Sequence, residues 1–334
     1  MKKNIDILLS VIDNYGDMGF ACELLIWLER VYPWVFVYDI WTDDIWAVTS
    51  FLQRNADDMW QYHVKMLEKF GEEMQSSFCI SLFHGFIPDI WFFQNPSMIL
   101  RVDYLSLDPL WLGHHEKEHI GSTEERKIIE IIPSPLPEGG GIFPCLLWKY
   151  TRQDIADMFS LDFSKEWISI FVYPETLSSC IDFSDIPPDR EILLLGIPTE
   201  MQKQIPHTSI HFLPFLSLDI FHHVLAHSLW SIIRGELSWM NMVALEKPFF
   251  WDMYKSLGGF PEEQSRQFLE LFEVSSNYRG IHNHINTGFP WKFSLHECEY
   301  LLMSWKWNMS LKKKKPKDLI HEVKKFIDSF YFSL

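Results

Sequence analysis

The chain has 334 residues, and 47% of its side chains are hydrophobic, which is enough for the cores of two ordinary domains. Its formal net charge of -16 argues against a generic nucleic-acid binder, which needs a basic face. No apolar run reaches the roughly 20 residues that span a bilayer. Five scattered cysteines without a CxxC pair are typical of reduced thiols, so we expect a cytoplasmic protein.

The first half of the chain alternates strand-like and helix-like segments. Apolar runs predict strands at Ile5–Ile12, Val35–Trp41, Phe78–His84 and Met98–Val102. An amphipathic pattern over Ala21–Val31 predicts a helix after the first strand. The proline- and glycine-rich segment Pro133–Gly141 predicts a loop.

The same alternation begins again in the second half. Strands are predicted at Trp167–Tyr173, Glu191–Gly196, Ser209–Leu213, Trp230–Ile233 and Pro248–Trp251. Helices are predicted from Ser238, as N-cap, to about Glu246, and over Pro261–Val274 and Leu319–Phe330. Two successive α/β units predict a pair of Rossmann-like domains that face each other across a cleft.

The most informative motif is Val11–Phe20, which joins the first predicted strand to the first predicted helix. Its glycines predict a tight turn at the carboxyl end of the sheet, where ligands bind in open α/β folds. Two carboxylates, Asp13 and Asp17, would repel a phosphate group, so the motif indicates a site for a cation or for proton transfer. The alternative is that Asp17 only caps the helix.

A second motif, Arg234-Gly235-Glu236, follows a predicted strand in the second unit. An arginine, a glycine that allows close backbone approach and the first N–H groups of a helix together suit a diphosphate. The alternative is an ordinary ion pair between Arg234 and Glu236. Tyr173 ends another strand at the same predicted cleft, where it could stack on a base or bond a phosphate, or simply belong to the core.

Two further patterns favour structural explanations. The segment His115–His119 matches the zinc-protease pattern H-E-x-x-H, but its charged, loop-like surroundings are not those of a buried metal-binding helix, so we expect no metal. The basic run Lys312–Lys315 indicates a solvated linker, with a docking patch for an acidic partner as the alternative. The remaining histidine pairs are interpreted as surface or core residues: His222, His223, His282 and His284.

Taken together, these segments resemble one family, the protein-arginine rhamnosyltransferases that modify bacterial elongation factor P (EarP). Val11–Gly19 is similar to the family's V-[IV]-D-N-[FY]-G-D-I-G, Arg234–Ser238 to R-G-E-D-S, and Lys247–Tyr254 to K-P-F-V-W-H-I-Y. Shorter similarities lie at Tyr104–Ser106 with Asp108, Pro133 with Gly140 and Gly141, Phe171–Tyr173 and Leu213–Leu216. The resemblance covers the chain in order from about residue 5 to residue 270.

The resemblance implies an α/β fold of the GT-B class, with two facing Rossmann-like domains and an inter-domain cleft. Residues 1–149 would bind the acceptor, residues 150–310 would bind the nucleotide sugar, and residues 311–334 would form a basic linker and a helix that packs back on the N-terminal domain. The implied reaction moves rhamnose from dTDP-β-L-rhamnose to an arginine of elongation factor P, with inversion and without a metal or cofactor. The implied partners are that protein and the nucleotide sugar, with neither nucleic acid nor a membrane.

The resemblance also implies a role for each site residue. The catalytic carboxylates would be Asp13, Asp17 and Glu236, and the acceptor would be bound by Asp13, Asn14, Tyr15 and Asp17. The donor would be bound by Tyr173, Phe215, Arg234, Gly235 and Ser238. A guanidinium stays cationic up to pH ~12 or above, so it needs carboxylates to orient it and take its proton. We expect Asp17 to be that base and Asp13 to orient the acceptor.

Three positions depart from the family pattern. Leu237 stands where the family has aspartate, Leu218 where it has glutamine, and Asp252 where it has histidine. Because leucine makes no polar contact with a donor, the identity of the nucleotide sugar is left open. The alternatives are a GT-B relative that uses another nucleotide sugar and an inactive relative that only binds elongation factor P.

Overall fold

The computed structural model divides the chain into two compact units, Met1–Pro144 with Lys315–Leu334, and Cys145–Lys314. The residues it describes are 3–11, 14–55, 62–69, 78–83, 98–103, 127–136, 139–147, 149–205, 208–253, 262–271, 274–287, 292–303 and 317–332. Among these residues, no helix is long and apolar enough to cross a membrane.

The first unit is built on a parallel sheet of six strands. These are β1 (Lys3–Leu9), β2 (Phe36–Thr42), β3 (Tyr62–Met66), β4 (Phe78–Leu82), β5 (Met98–Val102) and β6 (Lys127–Ile131). Their order is β3-β2-β1-β4-β5-β6, and every neighbouring pair is parallel. The order reverses between β1 and β4, and ligands in open α/β sheets bind beside such a reversal, at the carboxyl ends of the strands.

Two helices follow the first two strands, α1 (Asn14–Val31) and α2 (Ile45–Asn55). Helix α1 begins seven residues earlier than predicted, so Gly16 and Gly19 lie inside the helix and the turn after β1 is shorter than the sequence suggested. Asp17 is consequently the fourth residue of α1. The alternative that Asp17 is the N-cap is therefore wrong, because an N-cap residue lies before the first helical residue.

The C-terminal helix (Leu319–Tyr331) belongs to this first unit. Asp318 is its N-cap, and the Asp318 carboxylate accepts the backbone N–H of Ile320. At its other end the Tyr331 hydroxyl donates to the Asn4 carbonyl at 2.6 Å, and Lys3 Nζ donates to the Tyr331 carbonyl at 3.0 Å. These bonds attach the last helix to the first strand of the sheet.

The second unit contains a parallel sheet of five strands and one two-stranded pair. The strands are β7 (Glu166–Ile170), β8 (Ile181–Asp182), β9 (Arg190–Leu195), β10 (Ile210–Leu213), β11 (Ser228–Arg234), β12 (Phe249–Asp252) and β13 (Phe293–Ser294). The five-stranded sheet has the order β10-β9-β7-β11-β12, and β8 pairs with β13. Its order reverses between β7 and β11, which again places a ligand-binding position at the carboxyl ends of those two strands.

The second unit also contains eight described helices. They are α3 (Arg152–Phe159), α4 (Pro174–Cys180), α5 (Thr199–Gln202), α6 (Leu218–His227), α7 (Glu236–Ala244), α8 (Glu262–Leu271), α9 (Ser276–Thr287) and α10 (Leu295–Met303). The predicted N-cap of α7 is wrong: the cap is Gly235, and Ser238 is a buried third residue of the helix. Gly235 has φ +75° and ψ 161°, a conformation that glycine adopts readily, so the helix can begin directly after the strand.

Large aromatic side chains fill the interior of the second unit. Trp167, Trp230, Trp239 and Trp251 are each at most 1% exposed. The Trp239 and Trp251 rings lie 5.7 Å apart between α7 and β12. This packing fixes the start of α7 against the sheet and so positions the residues at the end of β11.

Candidate functional site

The first motif follows β1 at the carboxyl edge of the first sheet. Asp43, which follows the neighbouring strand β2, accepts the Val11 backbone N–H at 2.9 Å and the Ser10 hydroxyl at 3.0 Å. One carboxylate therefore holds the start of the motif beside the position where the strand order reverses. The exposed side chain of Asp43 was not among the predicted site residues, because nothing in its local pattern links it to Val11.

Asp17 is the acceptor-side residue whose side chain the structure describes. It lies in the first turn of α1 and is 2% exposed. One turn further along, the Phe20 ring contacts the rings of Phe83 and Phe143 at centroid distances of 4.9 and 4.8 Å, which anchors this end of α1. Asp13 lies outside the described residues, as do the side chains of Asn14 and Tyr15.

The second motif places a guanidinium against aromatic rings at the carboxyl edge of the second sheet. Arg234 ends β11, and its Cζ lies 4.4 Å from the ring centroid of Phe171, 4.9 Å from that of Tyr173 and 6.0 Å from that of Phe215. Its Nη1 donates to the Val172 carbonyl at 3.2 Å. Stacking and this hydrogen bond restrict the orientation of a half-buried cation, as a binding site for an anion requires.

The N-terminus of α7 lies next to that guanidinium along the chain. Because the N-cap is a glycine, it has no side chain with which to cap the first N–H groups, those of Glu236, Leu237 and Ser238. The Glu236 carboxylate accepts a hydrogen bond from Gln264 Nε2 at 3.2 Å, which ties the helix start to α8. The side chain of Ser238, the third residue of α7, is buried, so its backbone N–H is the group that the predicted donor role would use.

Phe215 presents an exposed ring at the same edge, just after β10. Its side chain is 39% exposed, and its ring lies edge-to-face with Phe171 at 6.4 Å. A Cβ on Gly196, at the end of β9, would lie 3.0 Å from the Phe215 ring, and Gly196 has φ +66°. The glycine therefore makes room for the ring, which a buried strand ending in glycine could have indicated from the sequence.

The turn that carries Tyr173 is held by Asp252. The Tyr173 backbone N–H donates to Asp252 Oδ2 at 2.8 Å, and the Thr176 hydroxyl donates to Asp252 Oδ1 at 3.0 Å. The sequence indicated Asp252 only as a departure from the family motif, and no local signal connects it to Tyr173. The predicted donor residues Tyr173, Phe215, Arg234 and Gly235 thus all lie at the carboxyl ends of β7, β10 and β11.

The histidines interpreted as structural are buried away from these motifs. His222 Nδ1 accepts the Leu146 backbone N–H at 3.0 Å, and burial lowers the pKa of His222 to about 3. Burial likewise lowers the pKa of His282 to about 3. Within the described part of the chain, no group of three His, Cys, Asp or Glu side chains could hold a metal ion. The H-E-x-x-H segment and Lys312–Lys315 lie outside the described residues.

Comparison with known proteins identifies one family and several structural relatives. The family model for the elongation factor P (EF-P) rhamnosyltransferase EarP matches residues 148–328, more than half of the chain. A structure from work on EarP-mediated arginine glycosylation of translation elongation factor EF-P aligns over 100% of both chains, with a TM-score of 0.54 and 17% identity. No curated protein sequence matches.

Two other solved structures share the fold at lower sequence identity. The spinosyn rhamnosyltransferase SpnG complexed with thymidine diphosphate has a TM-score of 0.56 and 9% identity, over 97% of this chain and 100% of SpnG. A putative UDP-N-acetylglucosamine 2-epimerase from Listeria monocytogenes has a TM-score of 0.52 and 11% identity, over 99% and 97%. Together with the two parallel sheets, these neighbours confirm the predicted α/β fold of the GT-B class.

Proposed function

The chain belongs to the family of elongation factor P rhamnosyltransferases, and on that basis we propose that it moves rhamnose from dTDP-β-L-rhamnose to an arginine side chain of elongation factor P. The observation that carries the proposal is Arg234, held by aromatic rings beside the strand-order reversal of the second sheet and within the matched segment. The proposal assigns the donor to the second unit and the acceptor to the first.

On the donor side, Arg234 and the first N–H groups of α7 are the proposed ligands of the diphosphate. A guanidinium bonds phosphate oxygens in pairs, and a helix N-terminus adds N–H donors with a favourable dipole. The exposed ring of Phe215 offers a flat apolar surface for the base, and Tyr173 flanks the guanidinium. The structure of SpnG with thymidine diphosphate supports a thymidine nucleotide as the donor carrier in this fold.

On the acceptor side, Asp17 is the proposed base and Asp13 the proposed orienting group, with Asn14 and Tyr15 beside them. A buried carboxylate in the first turn of a helix holds a fixed position, which favours directed bonding to the planar guanidinium of the acceptor. Carboxylates are the natural partners of that cation, whereas they would repel the diphosphate of the donor. The two motifs are therefore suited to substrates of opposite charge.

The proposed reaction is a single displacement at the anomeric carbon of rhamnose. A nitrogen of the acceptor guanidinium forms the new C–N bond while the C–O bond to the diphosphate breaks, and the bonding electrons leave with the diphosphate. The proton lost by the nitrogen passes to Asp17. Arg234 and the N–H groups of α7 stabilise the charge that develops on the leaving diphosphate, so the reaction requires no metal or other cofactor.

Glu236 is the third proposed catalytic carboxylate. Its position at the first residue of α7 places it next in sequence to the diphosphate ligands, and its bond from Gln264 limits its movement. The Glu236 carboxylate would repel the diphosphate because both are negatively charged. We therefore propose that Glu236 accepts hydrogen bonds from hydroxyl groups of the sugar. The acceptor takes part in translation, and we accordingly propose that the enzyme works in the cytoplasm.

The proposal is tested by measuring the intact mass of elongation factor P after incubation with this protein and dTDP-β-L-rhamnose. We expect a mass gain of one deoxyhexose, and we expect Asp17→Asn to slow single-turnover transfer by ~10²-fold or more, the usual contribution of a positioned base. Affinity for the donor should stay near that of the wild type, because the proposed donor ligands lie in the other unit.

Glu23→Gln is the matched control, because Glu23 is another buried carboxylate of helix α1. Burial raises the pKa of Glu23 well above its usual value and so favours the neutral carboxyl group, which glutamine resembles in shape and charge. This variant should transfer rhamnose at the wild-type rate. Near-normal transfer by Asp17→Asn would refute the assignment of Asp17 as the base. If the mass of elongation factor P stays unchanged after incubation with the wild-type protein, the proposed activity is refuted.

A further inference from the structure

A buried carboxylate on the last strand of the second sheet is bonded to a turn two strands away. Asp252 ends β12 and is 0% exposed. It accepts hydrogen bonds from the Tyr173 backbone N–H and from the Thr176 hydroxyl, at 2.8 and 3.0 Å. Burial of a carboxylate is costly unless it is hydrogen bonded, so these contacts are a substantial part of what keeps it there.

The two hydrogen bonds of Asp252 span the strand that carries Arg234. The sheet order places β11 between β7, which leads into the Tyr173 turn, and β12, which carries Asp252. The bonds therefore reach across the carboxyl end of β11, where Arg234 is located. In the β11–β12 register, Arg234 pairs directly with Asp252.

The same carboxylate completes the start of helix α4. Tyr173 is the N-cap of α4, its own side chain makes no capping bond, and Thr176 is the third residue of the helix. In a capping box, a long side chain at that third position reaches back to the N–H of the N-cap residue. Threonine is too short to do so, and Asp252 instead bridges the Thr176 hydroxyl and the Tyr173 N–H.

We propose that Asp252 is a positioning residue of the donor site, which fixes Tyr173 against the guanidinium of Arg234 and so orients that guanidinium toward the diphosphate. The Tyr173 ring centroid lies 4.9 Å from Arg234 Cζ, so a shift of the turn moves one face of the stack that holds the arginine. The inference rests on the proposed function, because it takes Arg234 as the diphosphate ligand.

The test uses calorimetric titration with thymidine diphosphate on three variants of the full chain. Asp252→Leu keeps the branched shape of the side chain in a larger volume but makes neither bond, and we expect its dissociation constant to rise about tenfold. Asp252→Asn can still accept the Tyr173 N–H and donate to the Thr176 hydroxyl, so it should stay within about threefold of the wild type. Thr176→Val removes one of the two bonds and should give an intermediate loss, about threefold to fivefold.

Tyr278→Phe is the matched control for lost stability. The Tyr278 hydroxyl donates to the Phe249 carbonyl at 2.6 Å, so this change removes a buried hydrogen bond from the opposite end of the same strand. It should lower the unfolding midpoint while leaving the affinity for thymidine diphosphate unchanged. An equal loss of affinity in Tyr278→Phe and Asp252→Leu would show that strand stability, not positioning, is responsible.

A double-mutant cycle with Tyr173→Ala gives the decisive result. If Asp252 acts through Tyr173, Asp252→Leu should cause no further loss of affinity in the Tyr173→Ala background, whereas additive losses would overturn the proposal. An equal loss of affinity in Asp252→Asn and Asp252→Leu would also overturn the proposal, because the effect would then depend on the charge of Asp252 and not on its hydrogen bonds. Absence of thymidine diphosphate binding by the wild type would instead refute the proposed donor site itself.

Discussion

Replacing Arg234 by alanine tests the proposed donor site most directly. The change removes a guanidinium that lies within 4.9 Å of two ring centroids and donates to the Val172 carbonyl. It leaves the backbone of β11 and the glycine that begins α7 intact. We therefore expect the variant to fold, with its main defect in the binding of thymidine diphosphate.

The size of the effect follows from the burial of the side chain. Removing one partner of a desolvated, hydrogen-bonded charge pair costs about 2–5 kcal/mol. Arg234 is half-buried, so we place the loss near the lower part of that range, about 3 kcal/mol. At about 1.4 kcal/mol for each tenfold change, the dissociation constant should rise by roughly 100-fold.

The assay is calorimetric titration with thymidine diphosphate at low and high salt, with Arg190→Ala as the control. Arg190 is the first residue of β9, so it lies at the amino ends of the strands, opposite to the end where Arg234 lies. Its Nε and Nη2 donate to the two carboxylate oxygens of Glu299 at 3.1 and 2.6 Å. Loss of this paired arginine should lower the unfolding midpoint without weakening nucleotide binding. Arg234→Lys retains the charge but not the planar stack, and should lose less affinity than alanine.

Unchanged affinity in a folded Arg234→Ala protein would refute the assignment of Arg234 to the diphosphate. Equal losses in Arg234→Ala and Arg190→Ala would show that reduced folding, and not the loss of a ligand contact, explains the result. A loss confined to Arg234→Ala that shrinks with added salt would support a charge-based contact, because salt screens such contacts when they are partly exposed.

Three further predictions concern the stability of the units and the choice of donor. Gly141→Ala should destabilise the first unit by roughly 2 kcal/mol or more in chemical denaturation, because Gly141 has φ +92° and its Cβ would lie 2.4 Å from the Lys317 carbonyl oxygen. The second unit should lose stability as pH falls from 6.5 toward 3, since folding lowers the pKa of His222 and His282 to about 3; thermal unfolding of His282→Gln should show a weaker pH dependence. Leu237→Asp should tighten binding of dTDP-β-L-rhamnose, measured by calorimetry, and an unchanged value would indicate a pocket adapted to leucine.

Apolar strands were the most predictable part of the fold. Met98–Val102 has the predicted bounds, and the ends of the strands of the second sheet differ from the predictions by at most three residues. The strand Tyr62–Met66 was missed, because it lies at the sheet edge and three of its five residues are half-buried, so it lacks a continuous apolar pattern.

Helix starts near glycine were the least predictable part. Glycine is usually evidence for a turn, and the sequence therefore placed the start of α1 after Gly19 and the cap of α7 at Ser238. In α1 the two glycines lie inside the helix, and in α7 the glycine is itself the cap. Both errors come from the same property, since a residue without Cβ is compatible with helix, cap and turn.

The site residues found by sequence are those that lie within one motif, whereas the contacts that arrange them are long-range. Arg234 meets Phe171 and Phe215 only because parallel strands bring residues distant in sequence to one edge of a sheet. The bond between Asp252 and the Tyr173 turn spans 79 residues and crosses an intervening strand. No local pattern encodes such a pairing, so a carboxylate of this kind becomes visible only in the structure.

The two sheets carry opposite charges beside the reversal of their strand order, and under the proposed function these charges match two unlike substrates. The strand order reverses between β1 and β4 in the first sheet and between β7 and β11 in the second, and open α/β sheets bind ligands at the carboxyl ends of such strands. The first sheet carries a buried carboxylate there, whereas the second carries an arginine next to a helix N-terminus capped by glycine. A cationic side chain of a protein is suited to the former and an anionic nucleotide sugar to the latter. Exchanging these charges would place repulsion at both positions, so the chemistry of the transfer constrains which motif each unit contains.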